Sequence, residues 1–166
     1  CPTYSRPHKR QARRVFSTLL IAAVEFYLAA CSRPRDSAAA EAAAAEEAAR
    51  RSARLKGGVT ILLANDKKLK ALNHNFRGFD KPTNVLSFPG GAGYAGDIAI
   101  AYGVTSKEAK TAAKSFVDHA AHLVVHGVLH LAGYDHEVPA DAKVMEPLEV
   151  KILKRLGIAD PYKAAV

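Results

Sequence analysis

The spacing of apolar and polar residues changes several times along the chain, and each change predicts a new element. Residues 37–55 are rich in Ala, with glutamates early and arginines late, which predicts a helix. The aliphatic run 59–64 has the length and composition of a strand. Asn65 and Asp66 then provide the turn and cap of a short helix from 67 to about 75.

The middle of the chain alternates loops and brief strands. Gly and Pro punctuate the polar stretch 76–84, so a loop is predicted before a strand at 85–88. The Gly-rich tract 90–96 is interpreted as a surface loop, because it lacks the spacing and the Lys-Ser/Thr pair of a phosphate-binding loop. Residues 97–101 predict a further strand.

Histidine recurs every fourth residue in an apolar segment, at His122, His126 and His130. In a strand, at about 3.3 Å per residue, the last two would lie about 13 Å apart, whereas one helical turn brings them within about 6 Å. Shared metal binding therefore requires a helix here. The surrounding leucines and valines predict that this helix is largely buried, with its histidines facing a cavity.

Gly133 is placed to end this helix, because glycine allows the left-handed backbone that reverses the chain. The reversal can return His136 to His126 and His130. Three neutral imidazoles at about 2.0–2.1 Å leave one position open on zinc, as in catalytic sites. We therefore predict one hydrolytic zinc ion on these three histidines. His122 is interpreted as a residue that orients a ligand or lines the cleft.

The same spacing, HExxHxxGxxH, occurs in metzincin proteases, and the chain departs from it only at Gly127. At that position the proteases carry the glutamate that takes a proton from the zinc-bound water, a step that glycine cannot perform. A metalloprotease is therefore the second interpretation of the histidine pattern.

Composition and charge divide the chain in two. At 166 residues and 49% hydrophobic, it is long enough for one domain plus an appendage. Residues 1–57 carry 11 Lys/Arg against 5 Asp/Glu, and residues 58–166 carry 13 against 11. We predict an atypical basic N-terminal segment, 1–57, and a metal-bearing domain, 58–166. The basic arm of the first segment can bind phosphates or stay solvated, and both interpretations remain open.

The apolar stretch 15–31 follows the basic arm in a layout similar to a lipoprotein signal. Glu25 and a length of about 16 residues weigh against membrane insertion. The preferred interpretation is that 18–28 supplies a strand or a short buried helix. Cys1 and Cys31 form neither a zinc ribbon nor a disulfide framework, which fits a reducing compartment. A cytoplasmic location without stable membrane association is expected.

Three motifs resemble the YbeY family of bacterial endoribonucleases and rRNA maturation factors: HGVLHLAGYDH at 126–136, KPTNVLSFP at 81–89 and GDI at 96–98. The resemblance runs from about Val59 to Tyr162. Two features depart from the family pattern. Residues 1–57 are atypical, and Pro147 interrupts the helical pattern of 140–156, where it is expected to bend or restart the helix.

The resemblance implies an α/β (α+β) fold, with a small mixed sheet packed with helices, a central metal-bearing helix and a metzincin-like active site. It implies zinc-dependent cleavage of single-stranded RNA, with His126, His130 and His136 as ligands. Arg77 occupies the position of the family's functional arginine; with Lys81 it is expected to contact RNA, and with His126 to be catalytic. Roles in rRNA 3′ end maturation and ribosome quality control, with the small ribosomal subunit as partner, are also implied.

The proton transfers of such a hydrolysis stay open at this point. Glu137, Asp135, His122 or a second water can move the proton, and Asp135 is preferentially interpreted as a group that orients an imidazole. Arg77 would offset charge on the phosphoryl oxygens, while the ion polarises the phosphate, activates a water, or does both. A non-catalytic ribosome assembly factor with a structural metal is the remaining alternative.

Overall fold

A computed structural model describes residues 34–163, in which five helices surround a three-stranded sheet. The predicted apolar element at 18–28 lies outside the described residues. In chain order the elements are α1 (Pro34–Ser52), β1 (Gly58–Ala64), α2 (Asp66–Arg77), β2 (Val85–Gly91), β3 (Tyr94–Ala101), α3 (Tyr102–Thr111), α4 (Phe116–Leu131) and α5 (Pro139–Arg155). The predicted mixed α/β architecture is confirmed.

The sheet has the order β1-β3-β2, with β3 at its centre. β3 pairs with β1 in parallel and with β2 in antiparallel orientation, so the predicted mixed sheet is also confirmed. Side chains alternate along β3: Ile98 and Ile100 face one hydrophobic cluster, and Ala99 and Ala101 face the other. The sheet therefore separates two layers of helices.

The two layers determine where the functional residues can lie. On one face, α4 packs over Ile98 and Ile100, and α5 and α1, the latter through Ala45 and Ala49, join the same cluster by packing against α4. On the other face, α2 packs on the opposite side chains of β2 and β3. Helices α2 and α4 thus lie on opposite faces of the sheet. The described part of segment 1–57 shares the core of the domain, and the division of the chain after residue 57 stays a prediction.

Helix α4 carries the histidines, as predicted, and begins earlier than the histidine pattern alone indicates. The hydroxyl of Ser115 caps it by accepting the backbone N–H of Asp118 at 3.0 Å. At the other end Gly133 has φ 93°, its N–H bonds to the carbonyl of His130, and the N–H of Tyr134 bonds to that of Leu129. This pair of bonds is the Schellman arrangement, so the predicted glycine stop is confirmed.

One local prediction was wrong. The tract 90–96 is not a surface loop, because β2 and β3 extend into it and leave a two-residue turn, Ala92-Gly93, in which Gly93 has φ 78°. Of the two outcomes expected at Pro147, a restarted helix is excluded, because α5 is one helix from Pro139 to Arg155, and a bend stays a prediction. Buried Met145 and Ile152 anchor it on both sides of the proline, which itself is exposed. Within 34–163, no helix is both long and apolar enough to cross a membrane.

Candidate metal centre

Three imidazoles converge at the C-terminal end of α4. His126 and His130 are one turn apart on the helix, and the reversal at Gly133 returns His136 to them. The ring centroids are 4.5 Å apart for His126 and His130, 4.9 Å for His126 and His136, and 5.1 Å for His130 and His136. One nitrogen from each ring lies within 4.8 Å of the other two. The chain thus assembles the three predicted ligands into one half-buried cluster.

The donor set fits a divalent ion of the zinc type. Imidazole nitrogens are ligands that zinc accepts, and three protein ligands leave a coordination position free for water or substrate. The Nε2 atom of His136 is buried and has no hydrogen-bond partner among the described residues. A buried polar atom without a partner is costly, and metal coordination would satisfy it. The structure therefore supports a metal ion at this cluster.

Burial controls the protonation of the cluster. It lowers the pKa of His130 to about 4, and the nearby His126 acts in the same direction. The pKa of His136 is lowered as well, first by burial and then by His126. At neutral pH these two rings are therefore neutral, the form that binds metal.

A buried carboxylate supports His126 from behind. Glu149 of α5 is 0% exposed, and its Oε1 lies 2.7 Å from Nδ1 of His126. Its Oε2 accepts the hydroxyl of Tyr162 and lies 3.7 Å from Nε2 of His122. Burial alone would raise the pKa of Glu149, but the contacts with His122 and His126 lower it to about 2, so that the carboxylate stays ionised. Burial, followed by the contact with Glu149, raises the pKa of Tyr162, which stays a donor.

The three other residues predicted near the site, His122, Asp135 and Glu137, are not members of the three-histidine cluster. His122 lies one turn before His126; its Nε2 is 3.7 Å from Glu149, and its ring centroid is 6.3 Å from that of His126. Asp135 accepts the backbone N–H of His136 at 2.7 Å and that of Glu137 at 3.4 Å. Burial alone would raise the pKa of Asp135, but these N–H groups lower it. Asp135 thus braces the loop that presents His136, while Glu137 is exposed.

Arg77 is the last residue of α2 rather than part of the following loop. Its guanidinium carbon lies 5.6 Å from the ring centroid of Phe79, and Nζ of Lys81 lies 6.0 Å from the same ring. The Nε atom of Arg77 is buried without a hydrogen-bond partner among the described residues. Asn73 holds this loop by donating its side-chain N–H to the carbonyl of Lys81 at 2.7 Å. We call Arg77, Phe79 and Lys81 the basic-aromatic cluster.

Gly127 faces the sheet, where little space is left for a side chain. A Cβ at this position would lie 2.9 Å from Cδ1 of Ile98 and 3.0 Å from Oγ of Ser87. The Ser87 hydroxyl also donates to the carbonyl of Gly127 at 3.3 Å. Where the proteases carry a glutamate side chain, the side chains of Ile98 and Ser87 thus occupy the adjacent space.

Sequence reasoning missed Glu149 and Tyr162. The signal for Glu149 was present: Met145, Ile152 and Leu153 form the apolar stripe of α5, and the glutamate interrupts that stripe. A charged residue on an otherwise buried face usually has a partner. For Tyr162 no comparable signal exists, because its role depends on how the chain returns after α5.

Acidification is expected to destabilise the metal-free protein. Between pH 6.5, the ordinary pKa of histidine, and about 4, the pKa of His130 in the folded protein, the unfolded chain binds a proton at His130 that the folded site does not. The free energy of unfolding therefore decreases as the pH is lowered through this range. Below 4.5, the lowered pKa of Glu149 acts with the same sign. Urea unfolding with a chelator, at about pH 7.5 and about pH 5, measures the first step. The variant His130→Asn should show a smaller change, and equal stability of the wild type at both values would contradict the prediction.

The chain is similar to known proteins of one family. The profile of the family described as Endoribonuclease YbeY matches residues 31–157. Proteins named Endoribonuclease YbeY from Methylocella silvestris and Chelativorans sp. are 54% identical over 110 residues and 51% identical over 116 residues. These alignments cover 63% and 65% of this chain. The chain spans 62% of the first relative and 71% of the second.

A solved structure shows the same fold. The solution structure of TM1509 from Thermotoga maritima aligns with a TM-score of 0.51 at 25% identity. The alignment covers 80% of this chain and 95% of that one. Since the family profile matches more than half of the residues, this chain belongs to the YbeY family.

Proposed function

We propose that this protein is a zinc-dependent endoribonuclease that cleaves single-stranded RNA. The observation that carries the proposal is the convergence of His126, His130 and His136 in a chain whose relatives are named endoribonucleases. Three neutral nitrogens favour one zinc ion with an open position, the arrangement used for hydrolysis. When bound, the ion supplies a Lewis acid for the scissile phosphate.

The basic-aromatic cluster is proposed to bind the RNA. Arg77 and Lys81 supply positive charge for phosphate oxygens, and the exposed ring of Phe79 offers a face on which an unpaired base can stack. The Nε of Arg77, which has no partner within residues 34–163, is a donor for a phosphoryl oxygen, and the charge of Arg77 would stabilise the transition state there. A preference for single strands follows, because stacking requires a base that has left the duplex.

We further propose rRNA as the substrate, from the motifs at 81–89 and 126–136 that resemble the family. The expected roles are rRNA 3′ end maturation and ribosome quality control in the cytoplasm, with the small ribosomal subunit as partner. The metzincin-like geometry and the metal-bearing function of α4 belong to the same proposal.

Arg77→Glu is expected to keep zinc and to lose RNA cleavage by about 100-fold or more, since loss of one charge-stabilising donor costs this much in other enzymes. The measurement is cleavage of a labelled unstructured RNA, with the zinc content of each protein determined in parallel. Arg155→Glu is the matched control: like Arg77, Arg155 is in the last turn of a helix, so both variants carry a similar helix-dipole cost.

The outcomes separate the two parts of the proposal. Cleavage by Arg77→Glu at the wild-type rate would refute the role of Arg77 and leave the nuclease assignment intact. If zinc-loaded wild type cleaved neither the unstructured RNA nor rRNA in small subunits, the nuclease assignment would be wrong.

A further inference from the structure

Glu149 lies directly behind the histidine cluster, although an isolated carboxylate is costly in a protein interior. Its side chain is 0% exposed, and the other buried residues of α5 are all apolar. Both carboxylate oxygens have donors: Oε1 faces Nδ1 of His126 at 2.7 Å, and Oε2 accepts the Tyr162 hydroxyl. A buried carboxylate with this set of partners indicates a role beyond packing.

The contact fixes which nitrogen of His126 is available to a metal. A neutral imidazole carries hydrogen on one nitrogen and a lone pair on the other. Because the carboxylate can only accept, the hydrogen belongs on Nδ1. In the neutral form that ligation requires, the lone pair is then on Nε2, which lies 3.0 Å from Nε2 of His130 and faces the cluster. The contact with Glu149 therefore selects both the tautomer and the ring orientation that ligation requires.

The segment after α5 completes this support. Tyr162 reaches back to Glu149, and its ring lies 6.0 Å from that of His122. The carbonyl of Pro161 accepts Nζ of Lys114 at 3.0 Å, and the N–H of Tyr162 donates to Asp160 at 3.0 Å. The segment is thus tied to the turn between α3 and α4, which keeps the tyrosine over the carboxylate.

We propose that Glu149 is a positioning residue that orients His126 for metal binding, and that Tyr162 holds Glu149 in place. The proposal rests on the metal site of the proposed function and is independent of the RNA substrate. It adds a chain of contacts that runs from the segment after α5, through a buried carboxylate, to one ligand of the ion.

The first test measures zinc affinity by chelator competition in Glu149→Gln and Glu149→Leu. Loss of a group that orients a ligand typically weakens metal binding by about 10–100-fold. We expect Gln, which keeps an acceptor but loses the charge, near the lower end, and Leu, which has no acceptor, near the upper end. Nitrogen NMR of the metal-free proteins should show the Nδ1–H form of His126 in the wild type and a mixture of forms in Glu149→Leu.

The second test uses a residue whose truncation leaves the core intact. Tyr162 is 48% exposed, so Tyr162→Phe should fold, lose one hydrogen bond and bind zinc about tenfold more weakly. Tyr102→Phe is the matched control: Tyr102 is also 48% exposed and packs on Phe116. Its zinc affinity should equal that of the wild type.

Several results would overturn the proposal. Wild-type affinity in Glu149→Gln and Tyr162→Phe would show that neither residue supports the site, and so would an unchanged tautomer in Glu149→Leu. Two zinc ions per chain, with the second lost in Glu149→Gln, would make Glu149 a ligand together with His122 and His126. Should the wild type bind zinc but cleave no RNA, the nuclease function would fail while the affinities still decide the role of Glu149.

Discussion

His130→Ala is expected to lose both zinc binding and RNA cleavage, and its loss of zinc affinity should exceed that of the Glu149 and Tyr162 variants. The substitution removes one of three ligands, which should weaken binding beyond the 100-fold or so that follows loss of an orienting group. Because the His130 ring is held neutral by burial, its replacement removes a ligand without leaving an unpaired charge. The metal-free fold should therefore survive, and chelator competition and RNA cleavage can be measured on folded protein.

His74→Ala is the matched control for this variant. His74 is an exposed histidine on α2, so its loss removes an imidazole without touching the cluster. Zinc binding by His130→Ala at the wild-type affinity would refute the three-histidine site. The same variant tests the assembly-factor alternative: restored ribosome maturation in cells that lack the wild-type protein would show that binding alone is sufficient.

The histidine site was accessible from the sequence because its geometry is local. Four-residue spacing fixes His126 and His130 on one helix face, and Gly133 fixes the reversal that brings back His136. Both constraints act over about ten residues, within the range where sequence patterns predict structure well. The convergence of the three histidines therefore follows from short-range spacing alone.

The residues that support the site could not be predicted from the sequence, because they come from distant parts of the chain. Glu149 reaches His126 through the packing of α5 on α4, and Tyr162 reaches Glu149 from the segment after α5; no local pattern specifies either contact. The hairpin at Ala92-Gly93 was missed because glycine suits a tight turn as well as a long loop. Helix α3 follows β3 directly, and the side chain of its N-cap residue, Ala101, makes no hydrogen bond. The capping residue that usually marks the start of a helix in a sequence is therefore absent there.

The structure gives Gly127 a second interpretation that the sequence alone does not. In the sequence, glycine at this position only removes the general base of a protease. In the structure it allows α4 to lie close to β2 and β3: its carbonyl accepts the Ser87 hydroxyl, and a Cβ at this position would lie 2.9 Å from Cδ1 of Ile98. A side chain at position 127 would therefore meet Ile98 and Ser87 of the sheet rather than the histidine cluster.

Gly127→Glu is accordingly expected to destabilise the protein by more than about 4 kcal/mol, because it forces a carboxylate into a packed apolar space. Set against a typical stability of about 5–15 kcal/mol, this loss would leave much of the protein unfolded at moderate temperature. Gly127→Ala should cost only about 1–2 kcal/mol, since helix propensity offsets part of the overpacking against Ile98. Urea unfolding of the metal-free variants gives both values.

Ala140→Glu is the control for adding a glutamate to a helix, because Ala140 is exposed in the first turn of α5. Its stability should stay within about 0.5 kcal/mol of the wild type. No peptide hydrolysis is expected from Gly127→Glu, even in zinc-loaded protein that remains folded, because a Cβ at this position faces Ile98 and Ser87 rather than the three histidines. Wild-type stability together with new peptidase activity would show that position 127 faces the histidine cluster.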